Sequence, residues 1–258
     1  MDYVSCAEAR QIPGLRLVLG KGSPGPWGEA AKGVFHARNV PFVAVLQVSM
    51  ADNDELHAWT GQRNAPVAMY EDEKPRHSWI DILYLAERLG SGQSLLPEAR
   101  EAQIECIGLS HQICGEDGLG WNRRLNIFNM LAQQAGGDVA SAGLAPRGIK
   151  DYSATPEALA TATGRLIDIL RMLDERLARQ RAGGSRYLVG DRLTASDIHF
   201  ATFFGMVDPL PHELCPSPER SRWLYSSGEP EVRAAVTDAL REHRDFIYRT
   251  HLKLPMDF

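Results

Sequence analysis

The chain has 258 residues, 44% apolar and 24% charged, enough for one large domain or two modest ones. A formal net charge of -5 offers no basic excess for a nucleic-acid backbone, and no run of about 18 apolar residues is present to span a membrane. Met1–Gly14 mixes charges with a proline and lacks an apolar core, so no secretory leader is expected and the expected setting is soluble and cytoplasmic.

Leu15–Leu19 reads as a short apolar strand, followed by a Gly/Pro-rich turn over Gly20–Gly28. Trp27–Arg38 has helical spacing, with Ala30, Ala31, Val34 and Phe35 on its apolar side. Asn39 suits the left-handed position that ends a helix. Pro41–Leu46 is a second, almost wholly apolar strand, as expected where both faces of a sheet are covered. Two strands joined by a helix make a βαβ unit, parallel and right-handed. Asp52–Gly61 is polar, a short helix or loop. Pro66–Tyr70 is a third strand, Asp72–Pro75 a charged turn, and Ser78–Leu89 a helix stopped by Gly90.

Beyond a linker at Gly90–Gln93 the pattern is helical almost throughout. Helices are predicted over Glu98–Cys114 and Leu125–Gln134, with a loop-like stretch at Gly136–Asp151. Thr155-Pro156-Glu157 supplies a cap, a first-position proline and an acid for a long helix. Thr194-Ala195-Ser196-Asp197 is a capping box before an apolar run from Ile198 to Val207, and Glu231–Arg249 reads as the last helix. The predicted class is α/β for about 90 residues, then all-α. The four cysteines, Cys6, Cys106, Cys114 and Cys215, fit neither a C-x-x-C pair nor a zinc spacing; Cys106 and Cys114, in an apolar helical stretch, are expected as buried free thiols, and no metal site is expected.

Three segments carry more than a fold class. Asn64-Ala65-Pro66-Val67 opens a strand with proline, which lacks the N–H a central strand needs. A cis Ala65-Pro66 bond explains it; an edge strand with trans proline is the other reading. His77-Ser78-Trp79-Ile80-Asp81-Ile82-Leu83-Tyr84-Leu85 puts a serine at a helix N-terminus, where free N–H groups and the dipole favour an anion. Tyr187 to Ile198 leads through a Gly-Asp turn into the Thr194–Asp197 box.

In this order the three segments resemble the glutathione S-transferases. The resemblance runs from about Leu15 to Phe204. It implies a thioredoxin-like domain over residues 1–90, which holds glutathione, and an all-helical bundle domain over residues 94–258. It also implies that the backbone at Ala65-Pro66 pairs with the cysteinyl part of glutathione, and that Ser78 receives its γ-glutamyl carboxylate. The acidic residue that the family places before this serine is His77 here, and Asp81 stands at a usually apolar position. Family members place a Tyr, Ser or Cys after the first strand to stabilise the glutathione thiolate. The loop Gly22–Gly28 offers Ser23 as its single hydroxyl, making it the catalytic candidate, with loop N–H groups as further donors. Trp27, Trp121 and Arg123 are candidates for the second-substrate pocket, Trp27 also for a structural anchor. The implied activity is conjugation of the glutathione thiolate, as co-substrate, to an electrophilic small molecule in a homodimer. A non-catalytic glutathione or small-ligand binding protein is the alternative. A thiol–disulfide oxidoreductase would need a cysteine near Trp27.

Overall fold

The computed structural model describes residues 1–49, 51–136 and 146–258. Its sheet has four strands, β1 (Tyr3–Val4), β2 (Leu15–Gly20), β3 (Val43–Gln47) and β4 (Val67–Tyr70), in the order β1-β3-β2-β4. β1 and β2 run parallel to β3, and β4 runs antiparallel to β2 with Val18 opposite Val67 and Leu15 opposite Tyr70. Helix α2 (Pro26–Ala37) joins β2 to β3 as the βαβ pattern predicts, and Asn39 after it has φ 57°.

The strands are apolar on both faces because both are covered. Leu17, Leu19, Ala44 and Ala68 enter one core with Ala30, Val34 and Phe35 of α2 and with Ile82 and Leu83 of α4 (Trp79–Leu89). Their neighbours Val18, Val45, Val67 and Met69 enter a second core with Cys6 and Ala9 of α1 (Cys6–Ala9) and Leu56 of α3 (Asp54–Thr60). This alternation is the period of two of a pleated strand. β1 and α1 lie inside Met1–Gly14, which carried no predicted element; Ser5 and Glu8 cap α1 reciprocally.

Eight helices follow among the described residues: α5 (Arg100–Cys114), α6 (Leu119–Gln134), α7 (Pro146–Asp151), α8 (Pro156–Ala182), α9 (Ala195–Phe204), α10 (Glu219–Ser226), α11 (Pro230–Ala235) and α12 (Asp238–His251). Every residue of α9 is buried. A helix apolar on all sides belongs at the centre of a core, and α9 packs against α5, α12 and, across the two layers, α2. That last approach is close: a Cβ on Gly33 would lie 2.7 Å from Ile198 Cγ2. Arg38, at the end of α2, donates to the carbonyls of Ser91, Gly92 and Gln93 and pairs with Glu87 at 3.1 Å, fastening the connecting segment.

Three predicted helical bounds differ. α6 begins at Leu119 rather than Leu125, and the segment expected as one helix from Glu231 is two, broken at Val236-Thr237, where Thr237 caps α12. The loop expected over Gly136–Asp151 contains α7; residues 137–145 lie outside the described residues. All four cysteines are buried free thiols. No helix among the described residues is long and apolar enough to cross a membrane, and no metal-binding cluster occurs among them.

Candidate functional site

Parallel strands β2 and β3 end at the same sheet edge, at Gly20 and Gln47. Antiparallel β4 starts from that edge, so the Ala65-Pro66 bond lies beside the loop that leaves β2. The bond is cis, as expected, although β4 is the last strand in the four-stranded order and has only the Ala68–Arg76 bridge on its outer side. Ala65 is partly exposed, and among the described residues nothing pairs with its N–H or C=O. Two backbone bonds join Ala68 and Arg76 in antiparallel fashion (2.8 and 2.9 Å). Continuing that count brings Ser78 level with Pro66 at the head of α4.

Ser78 caps α4: its Oγ accepts the Asp81 N–H (3.2 Å) and donates to Asp81 Oδ2 (2.7 Å). His77 is exposed beside it. On the other side of Pro66, Gly22 turns the loop with φ 78°, and Gly25 leads into Pro26 at the first position of α2. Gly25 supplies no side-chain cap, so the N–H groups of Trp27 and Gly28 have no partner among the described residues. The Ser23 hydroxyl precedes them and donates to Ser221 Oγ of α10 at 3.2 Å. An unpaired extended backbone, an N-capping serine and an open helix N-terminus therefore border one sheet edge. This combination suits an extended peptide-like ligand carrying negative charge at two points.

Residues 156–245 match the family described as glutathione S-transferase, C-terminal domain. Over those residues the chain is similar to that domain family. Solved structures show that the fold of that family extends over nearly the whole length. A glutathione S-transferase domain-containing protein of Marinobacter aquaeolei VT8 superposes with a TM-score of 0.64 at 14% identity, covering 92% of this chain and 100% of that one. A glutathione S-transferase of Methylobacterium radiotolerans JCM 2831, in complex with glutathione sulfonate, gives 0.60 at 17% identity over 92% and 91%. One of Methylobacillus flagellatus KT with glutathione bound gives 0.55 at 12% identity over 89% and 98%. No curated protein matches the chain.

Within the glutathione S-transferase fold, Ser23, Ala65, Pro66, His77 and Ser78 flank the strand edge just described, whereas of the three residues expected around a second substrate Trp27 and Trp121 both meet the Tyr152 ring and Arg123 turns away. The Trp27 indole donates to the Cys114 carbonyl at 3.0 Å, and its ring meets Phe203 edge-on with centroids 4.9 Å apart. It ties α2 to α5 and α9, the anchoring role. Trp121 is partly buried, its ring 4.8 Å from that of Tyr152. Arg123 corrects the expectation. It is 1% exposed and donates to the carbonyls of Met206 (2.9 Å), Leu224 (2.8 Å) and Ser227 (2.8 Å), and to Asn126 Oδ1. Its donors are spent on fastening α10 to the helical core. Burial, with the neighbouring Arg124 charge, pulls its pKa down to about 10.

A buried acid was missed altogether. Glu29 of α2 pairs with Lys32 (2.8 Å), which also donates to the Asp257 carbonyl of the C-terminal tail (2.5 Å). Burial raises the Glu29 pKa against the pull of Lys32. Beside it, Pro24, Ser217, Tyr225 and Tyr248 help line a cavity of about 20 Å³, room for about one water. Glu29 and Lys32 stand three apart, an ordinary solvent-facing pair on a helix; only the returning tail buries them.

Proposed function

We propose that the chain binds glutathione along the Ala65–Pro66 edge and adds its thiolate to an electrophilic small molecule. The observation that carries this reading is the unpaired Ala65 backbone beside the cis proline, level with Ser78 and next to the open start of α2. The Ala65 N–H and C=O pair with the cysteinyl residue. Ser78, the α4 N-terminus and His77 take the γ-glutamyl carboxylate. The sulfur lies over the start of α2, where the Ser23 hydroxyl and the N–H groups of Trp27 and Gly28 stabilise the thiolate. Glutathione S-transferases of similar fold hold glutathione or glutathione sulfonate, which supports the choice of ligand. A cytoplasmic homodimer completes the reading, and a sedimentation mass of two chains tests the dimer.

A free thiol has a pKa of about 8.5 and is mostly protonated at pH 7. The test follows bound glutathione by thiolate absorbance across pH, together with conjugation of 1-chloro-2,4-dinitrobenzene. A thiol pKa lowered by about a unit or more is expected in the wild type, rising in Ser23→Ala with at least a tenfold loss of conjugation. Full activity in the variant would remove Ser23 from the mechanism and leave the α2 N–H groups as the stabilisers. One observation favours the non-catalytic alternative: the Ser23 and Ser78 hydroxyls are both already donated, to Ser221 and Asp81. Binding without any drop in thiol pKa is the result that alternative predicts.

A further inference from the structure

Arg123 and Arg124 are neighbours on α6, and successive helical residues point about 100° apart. Arg123 turns inward onto carbonyls. Arg124 is partly buried beside the side chains of Tyr152 and Tyr225. Its Cζ lies 5.9 Å from the Tyr152 ring centroid. That ring is enclosed by Trp121 (4.8 Å), Phe128 (5.7 Å) and Trp27 (6.1 Å). Among the described residues no carboxylate forms an ion pair with Arg124. Arg38, Arg176 and Arg244 each have one (Glu87, Glu105 and Asp208), whereas the buried Arg16 and Arg123 place their donors on backbone carbonyls. A partly desolvated cation without a counter-ion is unfavourable, and the planar fork of arginine fits a carboxylate bidentately.

The group also lies where a second substrate would enter. Tyr225 shares a cavity wall with Pro24 of the β2–α2 loop. Tyr152 follows Asp151, whose Oδ2 accepts from Asn64 Nδ2 at 3.0 Å, one residue before Ala65-Pro66. Trp27 belongs to the first turn of α2. The two tyrosines beside Arg124 thus connect it to elements that border the proposed thiolate.

We propose that Arg124, assisted by Tyr152 and Tyr225, holds a carboxylate of the second substrate, so that the electrophile is an organic acid with an unsaturated or aromatic body lying against Trp121 and Tyr152. This rests on the proposed glutathione site. The same chemistry fits the glycyl carboxylate of glutathione itself, and the test separates the two.

Calorimetry compares glutathione, S-benzylglutathione and S-(4-carboxybenzyl)glutathione on wild type and Arg124→Gln. Tryptophan fluorescence compares 4-nitrobenzoate with nitrobenzene in the absence of glutathione. The expected wild-type result is at least a tenfold preference for the carboxybenzyl conjugate. Arg124→Gln brings that ratio near one, with glutathione and S-benzylglutathione binding within twofold of wild type. Tyr152→Phe lowers the ratio severalfold and decides the matter if Arg124→Gln loses its cooperative melt. Equal binding of the two conjugates by the wild type overturns the proposal while the glutathione site stands. So does a tenfold loss of glutathione itself in Arg124→Gln with the ratio unchanged, because the carboxylate held is then glutathione's own. If no glutathione compound binds, the proposed function falls. Arg124-dependent binding of 4-nitrobenzoate then sustains this proposal, and its absence overturns it as well.

Discussion

Replacing Asp197 with alanine removes the carboxylate on which the start of α9 is built. Asp197 is fully buried. Its Oδ1 accepts the Leu188 N–H at 2.7 Å, and its Oδ2 accepts the Thr194 N–H at 2.9 Å and the Thr194 hydroxyl at 2.7 Å. His243 Nε2 of α12 lies 3.1 Å from Oδ1. The variant strands two backbone donors in an apolar interior, while the Thr194 hydroxyl keeps Ser196 Oγ at 2.8 Å. Each buried unsatisfied group costs about 1–3 kcal/mol. The two donors share one carboxylate and do not simply add, so we expect a total of about 4 kcal/mol. For a chain of this size that is a fall in Tm of roughly 8–16 °C. Urea unfolding followed by circular dichroism gives the free energy directly. Asp197→Asn, which turns an amide donor toward the Thr194 donors, should fall between wild type and alanine, and Thr194→Ala should cost about 1 kcal/mol. A loss below about 1 kcal/mol for Asp197→Ala would refute the view that this carboxylate organises the helical domain.

Two other measurements probe the interior and the site. His199 is buried against Trp79, with ring centroids 5.5 Å apart, and burial pulls its pKa to about 3. The unfolded imidazole, near 6.5, takes a proton first, so stability present above about pH 6.5 is lost as pH falls toward 3, amounting to roughly 2 kcal/mol at pH 5. The raised Glu29 acts with the opposite sign, gaining on acidification, so the contribution of His199 is read as a difference. In His199→Phe the pH 7.5-to-5 loss should shrink by about 2 kcal/mol, and an unchanged loss would show that the imidazole is not held neutral. At the ligand end, Asp81 takes the Ser78 hydroxyl and puts a negative charge where a carboxylate is proposed to bind. Asp81→Asn should tighten glutathione binding by about 1 kcal/mol, roughly fivefold, by calorimetry. Weaker binding would mean that Asp81 holds the ammonium of the ligand instead.

The parts legible in the sequence were those whose signals are local. Apolar runs marked β2 and β3, a misplaced proline marked the cis bond, and Thr-Pro-Glu and Thr-x-x-Asp marked the starts of α8 and α9. The Ser5–Glu8 box was equally local, but an edge strand of two residues stabilised by pairing with β3 leaves no pattern of its own. Residues 115–124 carried no predicted element, yet α6 begins at Leu119, and at Gly120 the Phe203 and Trp27 rings leave no room for a Cβ. The break before Thr237 depends on a hydroxyl that reaches Asp174 of α8, a contact 63 residues away in sequence. The choice between Arg123 and Arg124 was invisible for the same reason: the position of α10, far along the chain, decides which guanidinium is consumed by carbonyls. Ser23, Ala65 and Ser78 became site candidates through the resemblance to glutathione S-transferases, whereas no local signal pointed to the burial of Glu29.

The central claim is that the Ala65–Pro66 edge is a glutathione site, and calorimetric titration of the wild-type protein with reduced glutathione tests it most directly. The account predicts saturable binding at one site per chain, with Kd on the order of micromolar to millimolar and competition by glutathione sulfonate. No heat and no thermal stabilisation at glutathione concentrations well above that range would contradict it.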